Sequence, residues 1–140
     1  MASRRKSREL ALQMLFQWEQ GKHPPQHVIY SFLGPLKLDP QVEQFARDLF
    51  EGTVAEVEVL DQRLREHAEN WRLERMAAVD RNLLRLALYE LLHYSETAPA
   101  VVINEAIEIA RRFSGKDSMN FVNGVLDAIR KKLAPSPAQS

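Results

Sequence analysis

The stretch of sequence that decides the fold is residues 79–93, VDRNLLRLALYELLH. Its leucines fall on almost every side of a helix, so that little polar face is left. A helix that is apolar nearly all round is stable only where other elements surround it. The stretch therefore predicts the central helix of an all-α bundle.

The segments on either side of this stretch carry apolar residues at the three- and four-residue spacing of amphipathic helices. Capping residues, Gly and Pro mark their starts and ends. We expect helices over residues 3–21, 28–33, 39–67, 101–113 and from 117 onward, with a brief turn at 73–76. Ser3, Asp39 and Asp117 are the expected N-caps, and Gly52 is expected to bend its helix or to let a neighbour approach closely. The prediction is a compact bundle of about seven helices.

Length and composition fit one domain. A chain of 140 residues with a hydrophobic fraction of 45% can bury a core without metal or disulfide staples. We expect residues 1–133 to form a single helical domain and the proline-rich residues 134–140 to be a disordered tail. The absence of cysteine excludes disulfides and thiol catalysis. The charged start is no secretory signal, and no apolar run is long enough to span a membrane, so we expect a cytoplasmic protein.

Charge is segregated along the chain, although the formal net charge is zero. Residues 1–9 hold four bases and one acid, residues 39–70 hold nine acids and three bases, and residues 111–133 hold six bases and two acids. Two basic ends around an acidic middle can attract a polyanion locally without a high isoelectric point.

No pattern in the sequence points to catalysis or to a metal site. The histidines lie in separate segments, apart from one pair that two prolines keep off a common helical face. Glu105 and Glu108 share a helix face, but we expect Glu108 to pair with Arg112 four residues on. Gly115 and Lys116 lack the upstream glycine and the following hydroxyl of a phosphate-binding loop. We therefore expect a non-catalytic protein with no cofactor and no metal.

The opening helix carries its cations at the unfavourable end. A helix N-terminus bears about half a positive charge, so each exposed cation there costs about 0.3–1 kcal/mol. Arg4, Arg5, Lys6 and Arg8 all lie in the first turns, where Glu9 is the one acid. An external polyanion such as a nucleic-acid backbone would cancel the penalty. The alternative is a frayed, solvated basic end with no partner.

Aromatic residues lie near both basic elements. Phe16 lies off the core stripe of the first helix and nearly in line with Arg5, where it could stack an RNA base beside cations that hold phosphates. Phe121 lies one turn into the last helix, whose start could hold a phosphate together with Lys116. Each ring could equally pack against a neighbouring helix, and the sequence leaves both alternatives open.

Four blocks of the sequence, in this order, resemble the NusB family of bacterial transcription antitermination factors. The blocks are residues 4–13, 79–91, 102–110 and 121–127, so the resemblance covers residues 4 to about 130. It implies an all-helical fold of two packed helical subdomains. It also implies a protein that binds the boxA segment of nascent ribosomal RNA together with the ribosomal protein NusE. Such a protein helps to assemble the antitermination complex on RNA polymerase.

The resemblance further implies which residues carry these contacts. RNA would be bound by the first helix and by the surroundings of the turn before the last helix, through Arg4, Arg5, Lys6, Arg8, Gln13, Phe16, Phe113, Lys116, Asp117 and Phe121. The NusE-binding surface would include Glu74, Asp80 and Arg81.

Two other functions remain open at this point. One is the RNA-binding accessory domain that precedes the catalytic domain of an RNA cytosine methyltransferase, which by itself would only bind RNA. The other is a protein-only scaffold, for example a homodimer in which the basic start of one copy meets the acidic segment of the other. Salt-dependent RNA binding by the monomer would separate these possibilities.

Overall fold

The structure is a computed structural model that describes residues 3–67 and 72–133. Over these ranges the chain forms seven α-helices and one short 3₁₀ turn (Leu73–Arg75), and no strand. The helices are α1 (Arg4–Gly21), α2 (Pro25–Leu33), α3 (Pro40–Ala55), α4 (Val57–His67), α5 (Ala78–His93), α6 (Pro99–Ser114) and α7 (Lys116–Leu133). The predicted all-α fold is therefore confirmed. The tail predicted for residues 134–140 lies outside the described residues.

Two of the three predicted caps are present. The Ser3 hydroxyl accepts a hydrogen bond from the backbone N–H of Lys6 at 3.2 Å, and the Asp39 carboxylate accepts one from that of Gln41 at 2.8 Å. Asp117 is not a cap, because α7 begins one residue earlier and places this carboxylate inside the first turn. A carboxylate in the first turn still stabilises the helix through the helix dipole.

The long helix predicted for residues 39–67 is two helices. The chain leaves helical geometry at Glu56, which has φ −109° and ψ 16°. The break has a packing reason, since α3 lies against α1 and α5 whereas α4 lies against α5 and α7. Four residues before the break, a Cβ at Gly52 would lie 2.0 Å from the hydroxyl oxygen of Tyr89. This confirms the close approach that was expected at that glycine.

Helix α5 is the centre of the molecule. It contacts α1, α3, α4, α6 and α7, and four of its leucines are each at most 2% exposed: Leu83, Leu84, Leu86 and Leu88. Helices α1–α3 pack together on one side and α4–α7 on the other, around one continuous apolar core. The apolar stretch that predicted a central helix is thus surrounded as its composition requires.

An ion-pair network ties α1 and α4 to this central helix. Arg81 and Arg85 of α5 both donate hydrogen bonds to the Glu19 carboxylate of α1, and Arg85 also donates to Asp61 of α4 at 2.7 and 2.8 Å. Burial disfavours the Glu19 carboxylate, but the hydrogen bonds from the two arginines outweigh it and lower the pKa of Glu19. Within residues 3–67 and 72–133, no helix is long and apolar enough to cross a membrane.

Candidate nucleic-acid interface

Two of the four cations at the start of α1 are open to solvent. Arg4 and Lys6 are exposed, and neither forms an ion pair with another described residue. The guanidinium carbon of Arg4 lies 4.2 Å from the ring centroid of Phe45 on α3, within cation–π range. Arg4 is therefore held in place by an aromatic ring while its charge remains available.

Arg5 is partly exposed, and it is already paired. Its Nε donates hydrogen bonds to both carboxylate oxygens of Glu105 on α6 at 3.2 Å, and its Nη2 donates to Oε2 at 2.5 Å. The side chain of Arg5 remains 41% exposed, and that of Glu105 is 18% exposed. The hydrogen bond to Glu105 raises the pKa of Arg5. The charge of this arginine is balanced inside the protein.

Arg8 is buried, whereas a residue that binds RNA is expected at the surface. Its side chain is 5% exposed, and it grips Glu90 of α5 through two hydrogen bonds, from Nε at 2.8 Å and from Nη2 at 2.5 Å. Its Nη1 donates a third hydrogen bond to Glu105 at 3.2 Å. All three nitrogens of this guanidinium are therefore bound to carboxylates of the same chain.

The expectation that an external polyanion offsets the cations at the start of α1 therefore holds for only two of the four. Two carboxylates inside the protein, Glu90 and Glu105, offset Arg5 and Arg8, so an external polyanion is required only for Arg4 and Lys6. Glu90 could have been identified from sequence, because a carboxylate in a helix that is buried all round needs a buried cationic partner. The identity of that partner could not, since 82 residues separate it from Glu90.

Two further acids near this surface, Glu9 and Glu108, are paired as well. Arg112 of α6 donates a hydrogen bond to the largely buried Glu9 of α1 at 2.5 Å. Glu108 therefore pairs with Arg111, at 2.7 Å, and not with Arg112 as predicted. The pairing differs because Arg112 faces α1, whereas Arg111 points along the exposed side of α6.

One groove brings together three of the residues predicted to contact RNA. Gln13 and Phe16 of α1 and Phe113 of α6 line a cavity of about 290 Å³, together with Leu12, Gln17 and Val79. Phe16 is 41% exposed and Phe113 is 40% exposed, so neither ring is part of the buried core. Phe16 is therefore accessible at the surface, as a ring that stacks a base has to be. The two rings come from helices whose sequences are about 100 residues apart.

The turn between α6 and α7 also lies on the surface. Gly115 has φ +102°, a conformation that favours glycine and that lets the chain reverse directly from one helix into the next. Lys116 and Asp117 follow it and are exposed. Phe121 is partly buried and packs against the core. The turn thus offers a cation and a carboxylate side by side.

The three residues predicted to bind NusE do not form one open patch. Glu74 is exposed and pairs with Arg65 at 2.9 Å, whereas Arg81 is held by Glu19 and by the carbonyl oxygen of Met76. Asp80 is 9% exposed, and its Oδ1 has no hydrogen-bond partner among the described residues. Across those same residues, no three His, Asp or Glu side chains gather closely enough to hold a metal ion.

The fold and this surface define a class, that of all-helical proteins with exposed cations and aromatic rings of the kind that hold single-stranded nucleic acid. The comparisons with known proteins agree. The sequence profile of the NusB family matches residues 5–131, and the transcription antitermination protein NusB of Koribacter versatilis is 52% identical over 132 residues, which are 94% of this chain and 90% of that protein. The chain belongs to the NusB family.

Solved structures support the same assignment. T. maritima NusB superposes with a TM-score of 0.86 at 36% identity and covers 96% of both chains. NusB in a crystal structure of the antitermination factors NusB and NusE in complex with double-stranded RNA has a TM-score of 0.84 at 25% identity, over 92% of this chain and 96% of that one. The family is one of non-catalytic transcription antitermination factors, which confirms the expectation that this protein is not an enzyme.

Proposed function

We propose that this protein binds the boxA segment of nascent ribosomal RNA together with NusE, and helps to assemble the antitermination complex on RNA polymerase in the cytoplasm. Membership in the NusB family supports antitermination as the process. The similarity to NusB in a complex with NusE and RNA supports these two partners. The observation that carries the proposal is that Arg4 and Lys6 pair with no described acid and lie on the same helix as the groove lined by Phe16 and Phe113.

We infer different roles for the two parts of this surface, because their chemistry differs. Arg4 and Lys6 would hold phosphates, and Lys116 would hold another from the side of α7. Phe16 lies twelve residues from Arg4, about 18 Å along the helix, so a strand of several nucleotides spans the distance. Phe16 and Phe113 would stack bases, and each base stacked on an aromatic ring contributes about 1–3 kcal/mol.

The other predicted site residues fit around this path. The Gln13 side chain lines the groove and can offer its amide to a base edge, although its Nε2 donates to the carbonyl oxygen of Glu9 at 3.3 Å without RNA. Asp117 would repel a phosphate held by Lys116 and so limit affinity there. Phe121 would support the same end of the surface. Arg8 would act only from beneath, by anchoring α1.

For NusE we propose the region around the start of α5. Glu74 is exposed enough to contact a protein partner directly. Asp80 is only 9% exposed, so NusE would contact its outer edge and not the buried Oδ1, which accepts no hydrogen bond from the described residues. Arg81 would shape this surface through its bonds to Glu19 and to the turn that precedes α5.

The test is a titration of a fluorescently labelled boxA-like RNA at several salt concentrations between about 50 and 200 mM, with and without NusE. The variant Arg4→Ala/Lys6→Ala should bind more weakly. The slope of its log affinity against log salt concentration should also be shallower by about 1.4, since each lost single-strand phosphate contact removes about 0.7. The matched control is Lys37→Ala/Arg63→Ala, which removes two exposed cations elsewhere. Equal slopes of log affinity against log salt concentration in both variants would contradict the proposal. If the wild-type protein does not bind the RNA at low salt, a protein-only scaffold is favoured.

A further inference from the structure

We propose, on the basis of the RNA-binding function above, that Glu105 is a built-in competitor of RNA for Arg5, so that this carboxylate sets the affinity of the α1 surface. Arg5 presents a guanidinium fork of the kind that binds phosphate through two parallel hydrogen bonds. In this structure the fork is occupied by a carboxylate of the same chain. A phosphate on Arg5 therefore has to displace Glu105 or share the guanidinium with it.

The Glu105 carboxylate lies deeper in the protein than the Arg5 side chain that binds it. Glu105 is 18% exposed and accepts a hydrogen bond from the buried Nη1 of Arg8 at 3.2 Å. Arg8 in turn is locked onto Glu90, which is 1% exposed. The Arg5 side chain is 41% exposed and reaches Glu105 from the solvent side. When a phosphate arrives, Arg5 can swing away, and Glu105 stays at the surface as a negative charge.

The charges around Arg5 explain why Glu105 weakens the binding of a phosphate to this arginine and does not assist it. Arg5 with Glu105 and Arg8 with Glu90 form two balanced pairs, so RNA meets no net positive charge there, and Glu105 repels each phosphate placed beside it. Glu108, one turn further along α6, adds a second carboxylate near Arg5. By contrast, Arg4 and Lys6 on either side of Arg5 in sequence have no such partner among the described residues. The attraction of the surface is thus weaker than its four cations suggest.

The decisive variant is Glu105→Gln, which keeps the shape of the side chain and removes its charge. We expect the labelled RNA to bind about three- to tenfold more tightly at low salt, from the loss of like-charge repulsion across about 6 Å and of an exposed ion pair. The salt dependence should become steeper by about 0.7, because Arg5 gains a phosphate contact. The matched control is Glu108→Gln, which removes one negative charge from the same helix and frees Arg111 instead of Arg5. Its affinity should change less than twofold.

A double-mutant cycle assigns the gain to Arg5. In the background Arg5→Ala, the change Glu105→Gln should no longer steepen the salt dependence, and most of the gain in affinity should disappear. Glu105→Asp serves as a second variant that keeps a charge beside Arg8 while it withdraws from Arg5, and it should give an intermediate gain. Circular dichroism and thermal unfolding check that each variant is folded at the temperature of the titration.

The outcomes separate this inference from the proposed function. If wild type binds the RNA and Glu105→Gln binds with unchanged or lower affinity, the carboxylate orients Arg5 and does not compete, and the inference is wrong. An equal gain in Glu105→Gln and Glu108→Gln, or a gain that survives Arg5→Ala, would also overturn it. If wild type binds no RNA at low salt even with NusE present, the proposed function itself fails.

Discussion

Arg8 provides the sharpest test of how this structure differs from the expectation based on its sequence. The perturbation is Arg8→Met, which keeps most of the aliphatic volume and removes the guanidinium. Glu90 then remains buried at 1% exposure without its two hydrogen bonds of 2.5 and 2.8 Å, and Glu105 loses a third at 3.2 Å. Removal of one partner from a buried ion pair costs about 3–5 kcal/mol. The variant should therefore fold, but with a large loss of stability.

The assay is thermal and urea unfolding at neutral pH, followed by circular dichroism. For a chain of this size each kcal/mol corresponds to about 3–4 °C, so the midpoint of thermal unfolding should fall by about 9–20 °C. Arg4→Met is the matched control, since it removes an exposed cation from the same turn and should cost less than about 1 kcal/mol. The double variant Arg8→Met/Glu90→Met should recover most of the loss, because an apolar pair often replaces a buried ion pair without cost.

RNA binding provides the second half of this test. At a temperature where Arg8→Met is folded, the salt dependence of its RNA binding should match that of wild type, because Arg8 holds no phosphate. If Arg8→Met unfolds no earlier than Arg4→Met and instead loses a salt-dependent contact, the reasoning from burial is refuted. Arg8 would then contact RNA directly, as the sequence suggested.

Two further predictions concern stability. The two arginine partners of Glu19 lower its pKa in the folded state, so its contribution to stability should be complete above the ordinary value of 4.5 and should be lost as the pH falls through the folded value. In Glu19→Gln, the free energy of unfolding in urea should lose this part of its pH dependence. An unchanged loss of stability at acidic pH would count against the network. Gly52→Ala should destabilise the protein by about 1–3 kcal/mol, because the new methyl group overlaps the Tyr89 hydroxyl. Gly124→Ala, where a Cβ has nothing within 4 Å, should stabilise it by about 0.5–1 kcal/mol. If both variants change the free energy of unfolding in the same direction, the packing at Gly52 is contradicted.

The sequence by itself determined the features that depend on a few neighbouring residues. Helix periodicity, caps and breaks operate over three to five positions, so the central helix, the caps at Ser3 and Asp39 and the position of Phe16 off the core stripe could all be predicted. The family followed from four blocks of consecutive residues. These features need no knowledge of how one helix lies on another.

Only the tertiary structure decided which side chains meet. Arg8 is buried because the docking of α1 on α5 and α6 places Glu90 and Glu105 against it, 82 and 97 residues away in the chain. The same docking brings Phe113 to Phe16. The break of the long helix at Glu56 has a separate cause, because α3 packs against α1 and α5 whereas α4 packs against α5 and α7. The physical reason is that an ion pair or a groove depends on the angle and separation of packed helices, which the local spacing of residues does not encode. A helix pattern shows that a cation is present, and the packing decides whether RNA or a carboxylate of the same chain neutralises it.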